Sequence, residues 1–295
     1  MTKEKKSTKT ERLQVLKTYK LFINGEFPRT ESGRFYNLKN SKGVHIANIC
    51  NGSRKDFRES VSVARAAFSK WSKRTAFNRS QILYRIAEIL ESRRTEFIDK
   101  LMQQEVTQKE ADAEISQAID LIIYYAGWAD KFQQVFSSVN PVAAPYFNFS
   151  IPEPSGVVAI IAPEKKSLLG IIASIAPVIV GGNTCVILAS HSRPLCAVML
   201  GEVLNSSDLP GGVVNVITGS KKELIQHFSN HMDVNSVFYG GDNKEELKEI
   251  QINAALNVKR IVEGKFNNFK QKEIADPYMI MNFQEIKTIW HPVSI

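Results

Sequence analysis

Cysteine is scarce. The chain has three in 295 residues, Cys50, Cys185 and Cys196, and none of the spacings that bind a metal. A disulfide framework and a thiolate metal centre are excluded, and the usage fits a reducing, cytoplasmic setting. No apolar run is long enough to span a bilayer and no secretory signal pattern opens the chain, so no membrane association is expected. Acidic residues are the minority charge, 30 Asp+Glu against 38 Lys+Arg, which leaves a net +8. Part of the excess is Lys3, Lys5, Lys6, Lys9 and Arg12, with no interleaved aromatics. That pattern argues against nucleic acid and for a solvated, disordered basic tail over residues 1–17.

What is present is core-forming material: 43% of the residues are hydrophobic, enough for a substantial interior in one or two domains. Asn24-Gly25 between short apolar runs predicts a hairpin, and short strands follow over 35–38 and 44–50. Ser53 is placed to cap a helix that ends near Trp71. Helical spacing then predicts one long helix over 78–105 and another over 108–135. The alternating segment Tyr146–Ile151, bracketed by Pro145 and Pro152, predicts an exposed, edge-like strand or arm within 141–154.

The stretch Glu153–Ser190 organises the rest. Val157–Ile161 and Cys185–Leu188 are short non-alternating apolar runs, as in strands buried on both faces, and Leu168–Val180 between them is long enough for a crossover helix. The same alternation continues with helices over 194–204, 221–229 and 243–253 and strands over 213–217, 234–239 and 258–262. The expected fold is α/β: a doubly wound, mostly parallel five-stranded sheet with an N-terminal helical region. Its first crossover turn, Pro163–Ser167, lies where such sheets bind ligands, yet carries Glu164, Lys165 and Lys166 and no Gly-x-Gly-x-x-Gly. From 263 to 277 the chain is polar without a clear period, and 278–290 reads as a strand-like tail.

An ordered series of segments resembles the aldehyde dehydrogenase superfamily. They are Phe22-Ile23-Asn24-Gly25-Glu26-Phe27, Ala76–Leu83, Glu153-Pro154-Ser155-Gly156-Val157-Val158, Ile175-Ala176-Pro177, Gly182-Asn183-Thr184, Leu209–Val216 and Val237-Phe238-Tyr239-Gly240-Gly241. The resemblance implies a cofactor-type domain over 18–262 that includes the arm, with Pro163, Lys165, Ser190, Gly240 and Gly241 at its cofactor positions. It also implies three departures. Lys165 stands at the family's oxyanion-binding asparagine, and its mobile stem does not reproduce the amide geometry. Leu188 stands at the lysine that holds the adenosine ribose, and Asp242, expected to cap the helix that faces the pyrophosphate, adds negative charge there.

The family oxidises aldehydes through a cysteine thiolate in a catalytic domain that follows this one. Here no cysteine follows Cys196. The resemblance therefore implies a shortened member with no catalytic residue, a linker over 263–277 in place of the catalytic domain, and a C-terminal oligomerisation strand within 278–295. Asn282–Ile289 resembles the family's last strand, which pairs with the arm. The chain is also similar to the cysteine-less second half of double-length aldehyde dehydrogenases. The expected function is a non-catalytic structural or regulatory subunit of a full-length aldehyde dehydrogenase, joined through 146–151 and 281–290. No cofactor is expected, or NAD(P) held only weakly. Two alternatives remain open: an NAD(P)-dependent aldehyde oxidoreductase whose catalytic residues come from a partner, and a nucleotide-binding regulatory module.

Overall fold

A computed structural model describes residues 15–264, 266, 269 and 271–293; the basic tail before Val15 lies outside them. Asn24 and Gly25 take φ of 56° and 78°, the backbone a two-residue hairpin turn demands. Thr18–Tyr19 (β1), Phe35–Lys39 (β2) and His45–Cys50 (β3) form a small sheet in the order β1-β3-β2. Arg54–Ser72 (α1) begins at Ser53, whose hydroxyl accepts from the Lys55 and Asp56 amides while the Asp56 carboxylate accepts from Ser53 N.

The helix expected over 78–105 is two helices, Ala76–Ser92 (α2) and Arg94–Gln103 (α3). At the break the Ser92 hydroxyl donates to the Ile89 carbonyl, Arg93 pairs with Glu96 and Glu202, and Arg94 pairs with Glu91 and Asp112. The buried stripe Ile82, Ile86, Leu90, Phe97, Leu101 keeps its phase through the break, so apolar spacing did not reveal it. The next expected helix also divides, into Gln108–Trp128 (α4) and Phe132–Phe136 (α5).

Ser138–Asn140 (β4) and Tyr146–Pro154 (β5) lead into the main sheet. Its elements alternate: Val157–Ile161 (β6), Ser167–Val180 (α6), Thr184–Leu188 (β7), Leu195–Asn205 (α7), Val214–Ile217 (β8), Lys221–Asn230 (α8), Ser236–Tyr239 (β9), Lys244–Ala255 (α9) and Arg260–Glu263 (β10). The strands lie in the order β10-β9-β6-β7-β8, every pair parallel, which is the doubly wound α/β sheet expected from the sequence. Val158 and Ile160 join the core cluster that holds α2, α4 and α6, while Val157, Ala159 and Ile161 join Phe57 and Val61 of α1 and Phe228 of α8.

The chain ends in two short helices, Gln271–Ile274 (α10) and Tyr278–Met281 (α11), and the strand Gln284–Pro292 (β11). The strand-like reading of 278–283 is corrected here. Pro277 has φ −66° and the Asp276 carboxylate accepts from Tyr278 N, which turns these residues into a helical turn. β11 then runs antiparallel to β5 from Gln284↔Pro154 to Pro292↔Tyr146. β5 is thus the middle strand of β11-β5-β4 and not an edge. β4 covers only Asn148–Ser150, so Pro152 and Pro154 lie beyond it, where a missing N–H costs no pairing to that neighbour.

Both ends of α6 are closed by side chains from other helices. At its C-terminal end Trp71 Nε1 donates to the Ile179 carbonyl (3.0 Å) and Arg79 Nε to the Val180 carbonyl (2.9 Å). At its N-terminal end Glu114 Oε1 accepts from Leu168 N (2.9 Å) and Leu169 N (3.2 Å). Glu114 is only 1% exposed; burial raises its pKa, and the two amides offset part of that rise. Glu114→Ala leaves two buried donors without an acceptor and is expected to cost about 2–3 kcal/mol in urea unfolding. Glu114→Gln keeps an acceptor and removes the buried charge. A raised carboxyl pKa costs stability only as pH climbs above the ordinary value near 4.5, so the glutamine variant should gain on wild type from pH 4.5 to 7. A stability difference that stays flat over that range would contradict the account.

Candidate functional site

The strand order fixes where a ligand crevice can form. The chain leaves β6 for β7 and β8, then crosses back to β9 on β6's other side, so the loops after β6 and β9 diverge at their C-terminal ends. Around that point lie Ala162–Lys166, Ala189–Arg193, the start of α8 and Gly240–Asn243.

Pro163 is buried between two glycines. A Cβ on Gly240 would stand 2.8 Å from Pro163 Cδ, and one on Gly170 would overlap the same ring. Pro163 and Gly240 are therefore brought together by close backbone packing, which a larger residue would push apart. Lys165 is exposed, and among the described residues it makes no hydrogen bond or ion pair with the other candidates. Lys166 takes φ 52° and closes the turn into α6. Gly241 has the Tyr239 ring against its Cα, so a side chain there would meet the phenol.

Ser190 is 1% exposed and faces Glu164, a residue the sequence did not single out for a role. Glu164 Oε2 accepts from Ser190 Oγ (2.6 Å), Ser192 Oγ (2.8 Å) and Ser192 N (3.2 Å). Its Oε1 accepts from His191 N (3.4 Å) and pairs with Lys221 Nζ (3.0 Å). Burial alone would raise this carboxyl, but the Ser190 hydroxyl and the Lys221 ammonium outweigh it and hold the group down at about 2. Leu188, at the end of β7, is fully buried and offers no polar atom here.

At the end of β9 the Tyr239 hydroxyl accepts from Asn243 N (3.2 Å) and donates to Glu246 Oε2 (2.7 Å). Burial and the neighbouring Glu246 carboxylate raise the phenol's pKa. The residue that caps α9 is Asn243, whose Oδ1 accepts from Glu245 N and Glu246 N. The expectation that Asp242 caps this helix is corrected: Asp242 lies one residue outside and is exposed. α9 thus begins with its first amides already accepted, beside the carboxylates of Asp242, Glu245 and Glu246.

The thiols are remote from such chemistry. Cys185 in β7 and Cys196 in α7 are fully buried and Cys50 is nearly so. Burial pushes the Cys185 and Cys196 thiols up, with the Glu114 carboxylate adding to Cys196, the reverse of what a nucleophile needs. Besides Glu164, three further polar groups at the crevice escaped sequence reasoning. Glu114 had a visible signal, a carboxylate within the apolar phase Ala111, Ile115, Ala118. Lys221 had none, because its partner Glu164 comes from a loop distant in sequence, whereas the Tyr239 hydroxyl bonds Asn243 and Glu246, four and seven residues further on.

Compared with known families, the chain matches the aldehyde dehydrogenase family over residues 27–263. It is 32% identical over 258 residues to cytosolic 10-formyltetrahydrofolate dehydrogenase of Mus musculus, covering 85% of this chain and 28% of that one. It is 30% identical over 251 residues to omega-crystallin of Enteroctopus dofleini, covering 83% of this chain and 50% of that protein. Among solved structures, the NAD+ complex of an aldehyde dehydrogenase from Bacillus cereus superposes with a TM-score of 0.80 at 26% identity, over 84% of this chain and 51% of the other. The chain spans about half the length or less of these relatives. By its matched sequence and its five-stranded parallel sheet, the chain belongs to the aldehyde dehydrogenase family.

Proposed function

We propose that this chain is a non-catalytic aldehyde dehydrogenase homologue that acts as a structural or regulatory subunit of a full-length relative and holds NAD(P) weakly. The observation that carries the reading is the state of the crevice: the donors that would meet a dinucleotide already serve the chain's own groups. Glu164 takes Ser190 and Lys221, Glu114 takes the start of α6, and Tyr239 and Asn243 take the start of α9. The residues present do not fit the cofactor, and no step of a reaction is routed through it.

Two further features support the reading. None of the three thiols is accessible, and aldehyde oxidation in this family needs a thiolate. The sheet β11-β5-β4 leaves Val139, Tyr146, Phe147, Ile286 and Trp290 between 42% and 68% exposed, and among the described residues β11 pairs on one side only. An apolar ribbon with a nine-residue open edge is a surface that association covers. A full-length relative supplies a catalytic domain to cover it.

The purified chain is expected to produce no NADH or NADPH with common aldehydes, followed by absorbance. Turnover that survives replacement of all three cysteines would overturn the reading. Calorimetry should show NAD binding about two to four decades weaker than in a relative that keeps the ribose lysine and lacks Asp242, from roughly 1–3 kcal/mol at each position. Micromolar affinity would contradict it. Removing residues 283–295 should abolish co-purification with a co-expressed full-length relative; unchanged co-purification would show that β11 is not the joint.

A further inference from the structure

The group around Glu164 is built as a cradle, and its walls have supports besides the carboxylate they hold. The loop after β7 is fixed by contacts that do not involve Glu164. The His191 ring stacks on Tyr36 with centroids 4.4 Å apart, the Tyr36 hydroxyl donates to the His191 carbonyl (3.1 Å), and His191 Nδ1 lies 3.1 Å from the Gly219 carbonyl. Arg193 N donates to Ser190 Oγ (3.1 Å), which aims that hydroxyl's proton at the carboxylate. Lys221 reaches in from the first turn of α8, and its side chain is only 16% exposed. Two hydroxyls, two amides and one ammonium thus converge from the loop after β7 and the start of α8, and the acceptor they share is the Glu164 carboxylate. Glu164 itself rides on the short connection between Pro163 and Ser167, which has no regular structure.

We propose that Ser190, His191 N, Ser192 and Lys221 form an oxyanion-binding site whose resident ligand is the chain's own Glu164, and which takes a phosphate or a small carboxylate once Glu164 is withdrawn. The chemistry of the donor set selects the class. Five donors around one small anion, one of them a cation, suit a carboxylate or a phosphate group and reject a neutral or cationic ligand. The depressed pKa of Glu164 agrees with a site that favours an anion over its protonated form. The proposal deepens the reading of a crevice closed to dinucleotides: the closure is a specific plug seated on donors that remain competent.

The test compares wild type, Glu164→Ala, Glu164→Gln and Glu164→Ala/Lys221→Met as full chains. Each is titrated with inorganic phosphate and with acetate, against chloride at matched ionic strength, and read by the shift in thermal midpoint and by calorimetry. Phosphate should raise the midpoint of Glu164→Ala and bind it at least about tenfold more tightly than wild type. Acetate should restore part of the stability lost with the side chain. Glu164→Gln, whose neutral amide is more easily displaced, should bind phosphate between those two, and Lys221→Met should erase the gain in the alanine background. The idea fails if Glu164→Ala and Glu164→Gln respond to phosphate and acetate no more than to chloride. It fails equally if the gain survives Lys221→Met, which would place the anion elsewhere, such as among Arg54, Arg58, His227 and His231 near the start of α1. Because the probes are bare anions, tight NAD binding by wild type would sink the weak-cofactor reading without touching this result. A null result here would leave that reading standing.

Discussion

The structure depends on β6 being sealed. It has a strand on each edge, a helical layer on each face, and no exposed residue from Val157 to Ile161. Its backbone polar groups are met by β7 and β9, and its side chains are all apolar. Anything polar that this part of the chain needs must therefore be arranged at the two ends of the strand, where water or a side chain can reach it. The two ends have been resolved in different ways.

At the N-terminal end the solution is a clasp. Asn183 Oδ1 accepts from Gly156 N (2.9 Å), and its Nδ2 donates to the Phe283 carbonyl (3.0 Å). Asn235 Oδ1 accepts from Val157 N (3.0 Å) and from Arg65. Gly156, at φ 134°, leaves room for Asn235 where a Cβ would collide with its amide. Gln284 Nε2 donates to the Gly181 carbonyl (3.2 Å), and Arg260 donates to the Gln284 carbonyl. The terminal strand is thereby tied to the start of the central βαβ unit. Its alignment on β5 and the orientation of the exposed ribbon both follow from this anchoring.

At the C-terminal end the solution is self-occupation. Strand ends and helix starts in a doubly wound sheet present unpaired donors, and that is why such folds bind anions there. In this chain Glu164, Glu114, Tyr239 and Asn243 accept from those donors. The local electrostatics that would favour a phosphate group are spent on internal carboxylates, and Asp242, Glu245 and Glu246 add charge of the same sign. A net charge of +8 says nothing of this, because a sum over the chain does not tell where each charge sits.

Most of the architecture was legible in the sequence. Non-alternating β-branched runs marked strands buried on both faces, the Ser53 cap and Asn24-Gly25 turn are local chemistry, and the five strands lie where the pattern put them. These features are decided within a few residues, so a linear reading reaches them. The breaks at Arg93 and at Ala129–Lys131 were not legible, since the apolar phase runs on and partners such as Glu202 come from another element. The candidate residues were half legible. Pro163, Lys165, Ser190, Gly240 and Gly241 mark the crevice by their place in the chain, but position does not tell which of them faces a carboxylate, a glycine or solvent. Only the fold, by setting Glu164 of one loop against Ser190 of a second and Lys221 at the start of a helix, decided that a carboxylate 57 residues from its lysine would occupy the site (221 − 164 = 57). Sequence determines elements through local spacing; the filling of a crevice is a contest between donors and acceptors that meet only when the sheet has closed.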